Sequence, residues 1–142
     1  MWRVVFEPGK LVAVSRRNGK TVLTRQIKTA GKPERIILTA DRKTITKEMD
    51  DLSFITATIV DDAGNPVPRA NNLVKFSVNP EGRVIATDNG SETSLESFQD
   101  KDRKTFNGRC LAIVRSNGNS GSLNITATSE GLVPGHIHID VK

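Results

Sequence analysis

The sequence predicts an all-β chain: an antiparallel β-sandwich preceded by a short β-ribbon. Three observations lead there. Helical periodicity is almost absent, while alternating apolar and polar runs recur between clusters of Gly, Pro, Asn and Asp. From Arg35 onward there are about seven such runs in roughly 110 residues, the number a two-sheet antiparallel sandwich requires. Between two of them lies Asp61-Asp62-Ala63-Gly64-Asn65-Pro66-Val67-Pro68. Gly64 and Asn65 tolerate positive φ there, and the prolines fix φ and remove amide donors. Such a segment ends a strand and carries the chain away from its sheet.

The ribbon comes first. Val4-Val5-Phe6 reads as a strand and Glu7-Pro8-Gly9-Lys10 as a turn, with Pro8-Gly9 suited to the central positions of type II. Leu11 to Ser15 is the next strand. Asn18-Gly19 then fits a type I′ hairpin turn, and Thr21 to Lys28 is the partner strand. Three strands of this length bury little and are marginal alone. The ribbon therefore reads as the end of a truncated β domain. Lys32-Pro33-Glu34 is a short linker.

The sandwich follows. Ile36 to Thr39 is its first strand. Leu52 to Val60 is the second, with Ile55, Ala57 and Ile59 turned to one face. Val74, Phe76 and Val78 face inward from the third. Asn79 to Gly82 turns the chain into a short strand, Arg83 to Thr87. Cys110, Ala112 and Val114 share a face of the next strand. Leu123, Ile125 and Ala127 alternate after the Ser116–Gly121 turn, and Ile137, Ile139 and Val141 complete the last strand. Asp88 to Asn107 breaks this rhythm: about 20 residues is long for a sandwich connection. Within it, Ser94 to Phe98 fits a single helical turn, whose Leu95 and Phe98 would cover the sandwich edge.

Composition sets the function classes. Of 142 residues, 36% are hydrophobic and 26% charged, as in an ordinary globular protein. No run approaches the roughly 20 apolar residues of a membrane helix, and Trp2 to Phe6 is too short for a signal-peptide core. The single Cys110 excludes an internal disulfide and sits in an apolar run with no histidine near it in sequence, as a small buried hydrophobe would. Net charge is +5, unevenly spread: residues 1–48 hold 12 Lys+Arg against 4 Asp+Glu, and the remainder 9 against 12. The basic half would suit a nucleic-acid or acidic-glycan surface. A short ribbon also keeps Lys and Arg on its solvent face and edge to stay soluble. The basic residues are dispersed and lack interleaved aromatics, so no nucleic-acid partner is expected.

The Asp61–Pro68 segment resembles the connection between the second and third strands of bacterial immunoglobulin-like domains, so the sandwich is expected to be immunoglobulin-like. A wider resemblance covers nearly the whole chain. Phe6 to Val14, Asn18-Gly19-Lys20 and Ile27 to Pro33 resemble the junction after the catalytic barrel of glycoside hydrolase family 2 enzymes, more narrowly the large bacterial β-galactosidases. Leu38 to Arg42, Asp61 to Pro68, Asp88-Asn89-Gly90, Glu96-Ser97-Phe98, Phe106-Asn107-Gly108 and Ala127 to Leu132 are similar to their C-terminal immunoglobulin-like domain. The resemblance implies terminal strands of a preceding immunoglobulin-like domain at 1–31 and a complete C-terminal one at 32–142. It implies a periplasmic or extracellular parent hydrolysing terminal β-galactosides. It assigns no catalytic residue here: the two glutamates of such enzymes, about 5–5.5 Å apart when configuration is retained, belong to the family's barrel, and this sequence lacks a barrel's strand–helix alternation.

The expected role is thus non-catalytic and cofactor-free, with the parent's catalytic and other β domains as partners. Two alternatives stay open, a carbohydrate-binding module and an invasin-type cell-surface spacer. Glycan or interdomain contact would use Trp2 and Phe98 as stacking rings, with Asp88, Asn89 and Glu96 of the long loop beside them. Asp88-Asn89-Gly90 is expected to form a turn with Asn89 or Gly90 at positive φ. The loop's acidic residues lack calcium-loop spacing. His136 and His138 share a strand face but need further ligands to hold zinc. Open strand edges in the ribbon would also permit pairing with a second copy. No membrane partner is expected.

Overall fold

The computed structural model describes residues 5–142, which form strands and no helix. In chain order these are β1 (Lys10–Arg17), β2 (Lys20–Lys28), β3 (Arg35–Ala40), β4 (Thr44–Ile45), β5 (Leu52–Val60), β6 (Leu73–Val78), β7 (Gly82–Asp88), β8 (Asp102–Lys104), β9 (Arg109–Ser116), β10 (Gly121–Thr128) and β11 (Gly135–Val141). β1 and β2 make a hairpin of their own. The others form two sheets, ordered β3-β5-β9-β7 and β4-β11-β10-β6-β8.

The hairpin turn is the one its dipeptide dictates. Asn18 and Gly19 both have positive φ, 50° and 75°, as type I′ requires. Of the expected third ribbon strand, Val4 lies outside the described residues, and residues 5–9 form no strand. Gly9 spends its N–H on Thr29 Oγ1 at 2.9 Å and its carbonyl on the Thr29 N–H at 2.8 Å. The chain thus enters β1 alongside the end of β2. Gly9 has φ +150°, away from the value a type II turn needs.

The sandwich buries the faces that period-2 alternation selects. Ile55, Ala57 and Ile59 from β5, and Cys110, Ala112 and Val114 from β9, line one sheet. Val74, Phe76, Leu123, Ile125, Ala127, Ile139 and Val141 line the other. Each large side chain buried this way contributes about 1.5–3 kcal/mol against the entropy of ordering the chain. The first strand changes sheets: β3 pairs with β5, and beyond Asp41 the chain continues as β4, parallel to β11. Asp41 caps this crossing. Its Oδ1 accepts the Phe54 N–H at 2.8 Å and the Ser53 hydroxyl at 3.2 Å.

The long connection departs from expectation. It contains β8, which extends the sheet beyond β6. Ser94 to Phe98 is not helical, and Leu95 is fully exposed and covers nothing. The large side chain that this connection buries instead is Arg103.

Candidate functional site

Arg103 is the most deeply buried charged residue among the described residues, with 0% exposure. β8 carries it inward by strand alternation, where a hydrophobe is expected. A buried guanidinium is tolerated only with its donors satisfied. Here Nε donates to Thr87 Oγ1 at 3.2 Å, and Nη2 donates to the carbonyls of Thr87 (2.7 Å) and Ser97 (2.6 Å). Nη1 donates to the Glu96 carbonyl at 3.2 Å and lies 3.8 Å from Glu96 Oε2. The guanidinium carbon stands 5.6 Å from the centre of the Phe98 ring, within cation–π range. One cation therefore ties β7 to the 96–98 stretch of the loop.

The loop residues named from sequence gather around this clamp. Asp88 Oδ1 accepts the N–H of Asn89 (2.7 Å) and of Gly90 (3.2 Å), and Asn89 Oδ1 accepts the Ser91 N–H (2.9 Å). Gly90 takes the positive φ, 71°. Asn89 Nδ2 donates to the Lys104 carbonyl at 2.9 Å, and the Lys104 N–H donates to Glu96 Oε1 at 3.3 Å. Thus Asp88, Asn89 and Glu96 spend polar atoms on shaping the loop. Phe98 remains 63% exposed, one side backed by Arg103. Trp2 lies outside the described residues. The result is a preformed surface in which Phe98 and Leu95 face solvent.

A second polar centre sits where the hairpin meets the sandwich. Asp61 is buried, and its Oδ2 accepts the Gly31 N–H at 2.8 Å and the Asn65 side-chain amide at 3.0 Å. Its Oδ1 accepts the Asn65 N–H at 2.7 Å. The Gly31 amide above all, then Asn65, hold this carboxyl down at about 2. Asp61 therefore shapes its own turn and also fastens the linker from β2.

Other groups do not converge. Cys110 is buried, and burial pushes its thiol up to about 12, out of nucleophilic range. His136 and His138 point outward, bonding Thr126, Asn124 and Asp140 on the same sheet face. Among the described residues no three His, Cys, Asp or Glu side chains are placed to hold a metal.

Residues 36–138 match the family described as glycoside hydrolase family 2 C-terminal domain 5. The chain belongs to this family. It is 46% identical over 131 residues to the beta-galactosidase BoGH2A of Bacteroides ovatus, spanning 92% of this chain and 15% of that one. A family 2 glycosyl hydrolase from Bacteroides cellulosilyticus has the same structure over 99% of this chain and 18% of its own, with a TM-score of 0.90 and 38% identity. A beta-glycosidase from Bacteroides vulgatus superposes with a TM-score of 0.93 at 28% identity, again over 99% of this chain and 18% of its own. The chain thus spans less than a fifth of these relatives. The chain is thus a glycoside hydrolase family 2 C-terminal β-sandwich domain.

Proposed function

We propose that this domain braces a bacterial β-galactosidase-type enzyme, the parent hydrolysing terminal β-galactosides. The observation that carries the reading is the 46% identity to a beta-galactosidase over a region that is only 15% of that enzyme. In this reading residues 1–31 belong to a preceding β domain of the parent, and residues 32–142 form the accessory domain. The hairpin supports this assignment: every residue of β1 and β2 is exposed, so it has no core here. The 88–104 loop, held rigid by Arg103, then offers Leu95 and Phe98 to the catalytic domain or to a second subunit. The parent is exported to the periplasm or beyond.

The test is hydrolysis of a chromogenic β-galactoside by this chain and by the full-length enzyme. Turnover by the full-length enzyme alone is expected. Turnover by the purified chain would overturn the accessory role, and an inactive full-length enzyme would overturn the substrate.

A second reading, glycan binding, draws support from Phe98, a ring backed on one side and open on the other, with Glu96 beside it. Calorimetric titration with galactosides separates the two: heat that disappears in Phe98→Ala favours glycan binding, and a flat titration favours bracing.

A further inference from the structure

The hairpin of β1 and β2 carries charge of one sign only. Residues 10–28 contain six Lys or Arg and no Asp or Glu. The register sets Lys10 directly opposite Lys28, and Arg17 directly opposite Lys20. Like charges facing each other across a ladder destabilise it. Among the described residues, no ion pair joins any of these cations to a carboxylate.

Between the charged ends lie apolar residues on both faces. Leu11 pairs with Ile27 on one face, where Leu23 also stands and Arg25 lies between them opposite Ala13, and Val12 and Val14 occupy the other. Leu11, Leu23, Ile27, Val12 and Val14 are all exposed. A polyanion such as nucleic acid would meet the cations and leave these side chains in water. A purely apolar surface would bury them and leave two repelling pairs without partners. The face of Val12 and Val14, with Lys10 and Lys28 at one end and Lys20 at the other, calls for an apolar centre with acidic ends.

We propose that the hairpin docks on an acid-rimmed β-sheet surface of another domain of the same enzyme. Carboxylates of that surface would face Lys10 and Lys28 at one end and Arg17 and Lys20 at the other. This rests on the proposed membership of the hairpin in a neighbouring β domain and adds the chemistry of the surface it meets. The docked surface buries the Val and Leu side chains, and its carboxylates turn the like-charge pairs from a cost into a registration device. Asp61, by fastening Gly31, would then transmit the hairpin's position to the sandwich.

Hydrogen exchange of residues 10–28 tests this in the full-length enzyme, with the 142-residue chain as reference. Amides of the hairpin are expected to be protected in the enzyme and to exchange freely in the isolated chain. Raising NaCl from about 0.05 M to about 0.5 M shortens the screening length to a few Å and is expected to reduce that protection about tenfold. Lys28→Glu is expected to lose protection at low salt and to be insensitive to added salt, while Lys28→Gln falls between. Val14→Asp, which attacks the apolar centre, is expected to abolish protection at every salt concentration.

Protection that is salt-independent and unchanged in Lys28→Glu, but lost in Val14→Asp, would overturn the acidic rim and leave the docking intact. Absence of protection in the unmodified enzyme would overturn the docking itself. Protection that appears in the isolated chain as its concentration rises would assign the surface to a second copy, and would overturn the proposal.

Discussion

At the scale of single residues, two polar side chains hold what the apolar core does not reach. Arg103 replaces the hydrophobic cover of one sandwich edge with a cation that bonds β7 and the loop together. The desolvation of such a charge is offset only while all its partners are present. Arg103→Met removes the charge but leaves the Thr87, Glu96 and Ser97 carbonyls without that donor. The expected loss is about 3 kcal/mol in urea unfolding, with protease cleavage appearing between residues 88 and 101. Arg103→Lys restores a charge without the planar fork and is expected to recover part of the stability and little of the protection. Asp61 gives a pH signature. Its carboxyl sits at about 2 in the folded chain, against an ordinary value of 3.8. A depressed folded value stabilises the fold fully above the unfolded value, and that stabilisation is lost as pH falls through the folded one. The chain is therefore expected to lose stability between about pH 4 and about pH 2. Asp61→Asn is expected to be less stable at neutral pH and to show a shallower acid transition. An unchanged acid transition in that variant, followed by tryptophan-independent far-ultraviolet dichroism, would remove Asp61 from this account.

At the scale of elements, tight turns decide how the strands meet. Asn107 and Gly108 both have positive φ, 51° and 74°, so Phe106 and Arg109 pair across a two-residue turn. The Gly108 carbonyl accepts the Ile59 N–H at 2.9 Å and its N–H reaches the Ala70 carbonyl at 3.1 Å. A Cβ at Gly108 would run into the Val67 carbonyl oxygen. Gly108→Ala is expected to cost about 3 kcal/mol by chemical denaturation, combining backbone strain with that clash. Gly118→Ala, also at positive φ but in open space, is expected to cost about 1 kcal/mol, strain alone. Equal losses in the two variants would mean that the Val67 contact adds nothing. The turn at 107–108 carries the same Asn-Gly dipeptide that marks the β1–β2 hairpin, so it was open to reading from sequence. It was obscured because only three residues, Asp102–Lys104, form the strand before it, too few to display alternation. β4, with two residues and a parallel partner 96 or so positions away, left still less signal. The longer strands were legible because each buries one full face. Arg103 was not: period-2 reasoning assigns charged residues outward, and only the tertiary arrangement of carbonyls from β7 and the loop reverses it. Asp88, Asn89, Glu96 and Phe98 were recognised as one loop, while the clamp that unites them was missed.

At the scale of the whole molecule, the chain has a self-sufficient part and a dependent one. The sandwich encloses one core, from Ile36 through Val141. The hairpin contributes no buried residue to it; the linker residues Ala30 and Gly31 make the contact, through packing and through Asp61. Stability should follow that division. A chain shortened to residues 29–142 keeps Ala30, Gly31 and every core side chain, so its unfolding free energy is expected to change by less than about 1 kcal/mol. Unfolding should also stay a single cooperative transition, since one core sets it. Docked as proposed, the same hairpin is expected to matter in the full-length enzyme, where its apolar faces would gain cover that the isolated chain lacks. Excising residues 10–28 from the enzyme, with a short flexible bridge in their place, is expected to lower its first thermal transition by several degrees, while the isolated sandwich melts as before. If shortening destabilised the isolated chain as strongly as the enzyme, the hairpin would be part of the sandwich's own folding unit. If it destabilised neither, the exposed Val and Leu side chains would have no partner in the enzyme, and the division drawn between a bracing sandwich and a docking hairpin would fail.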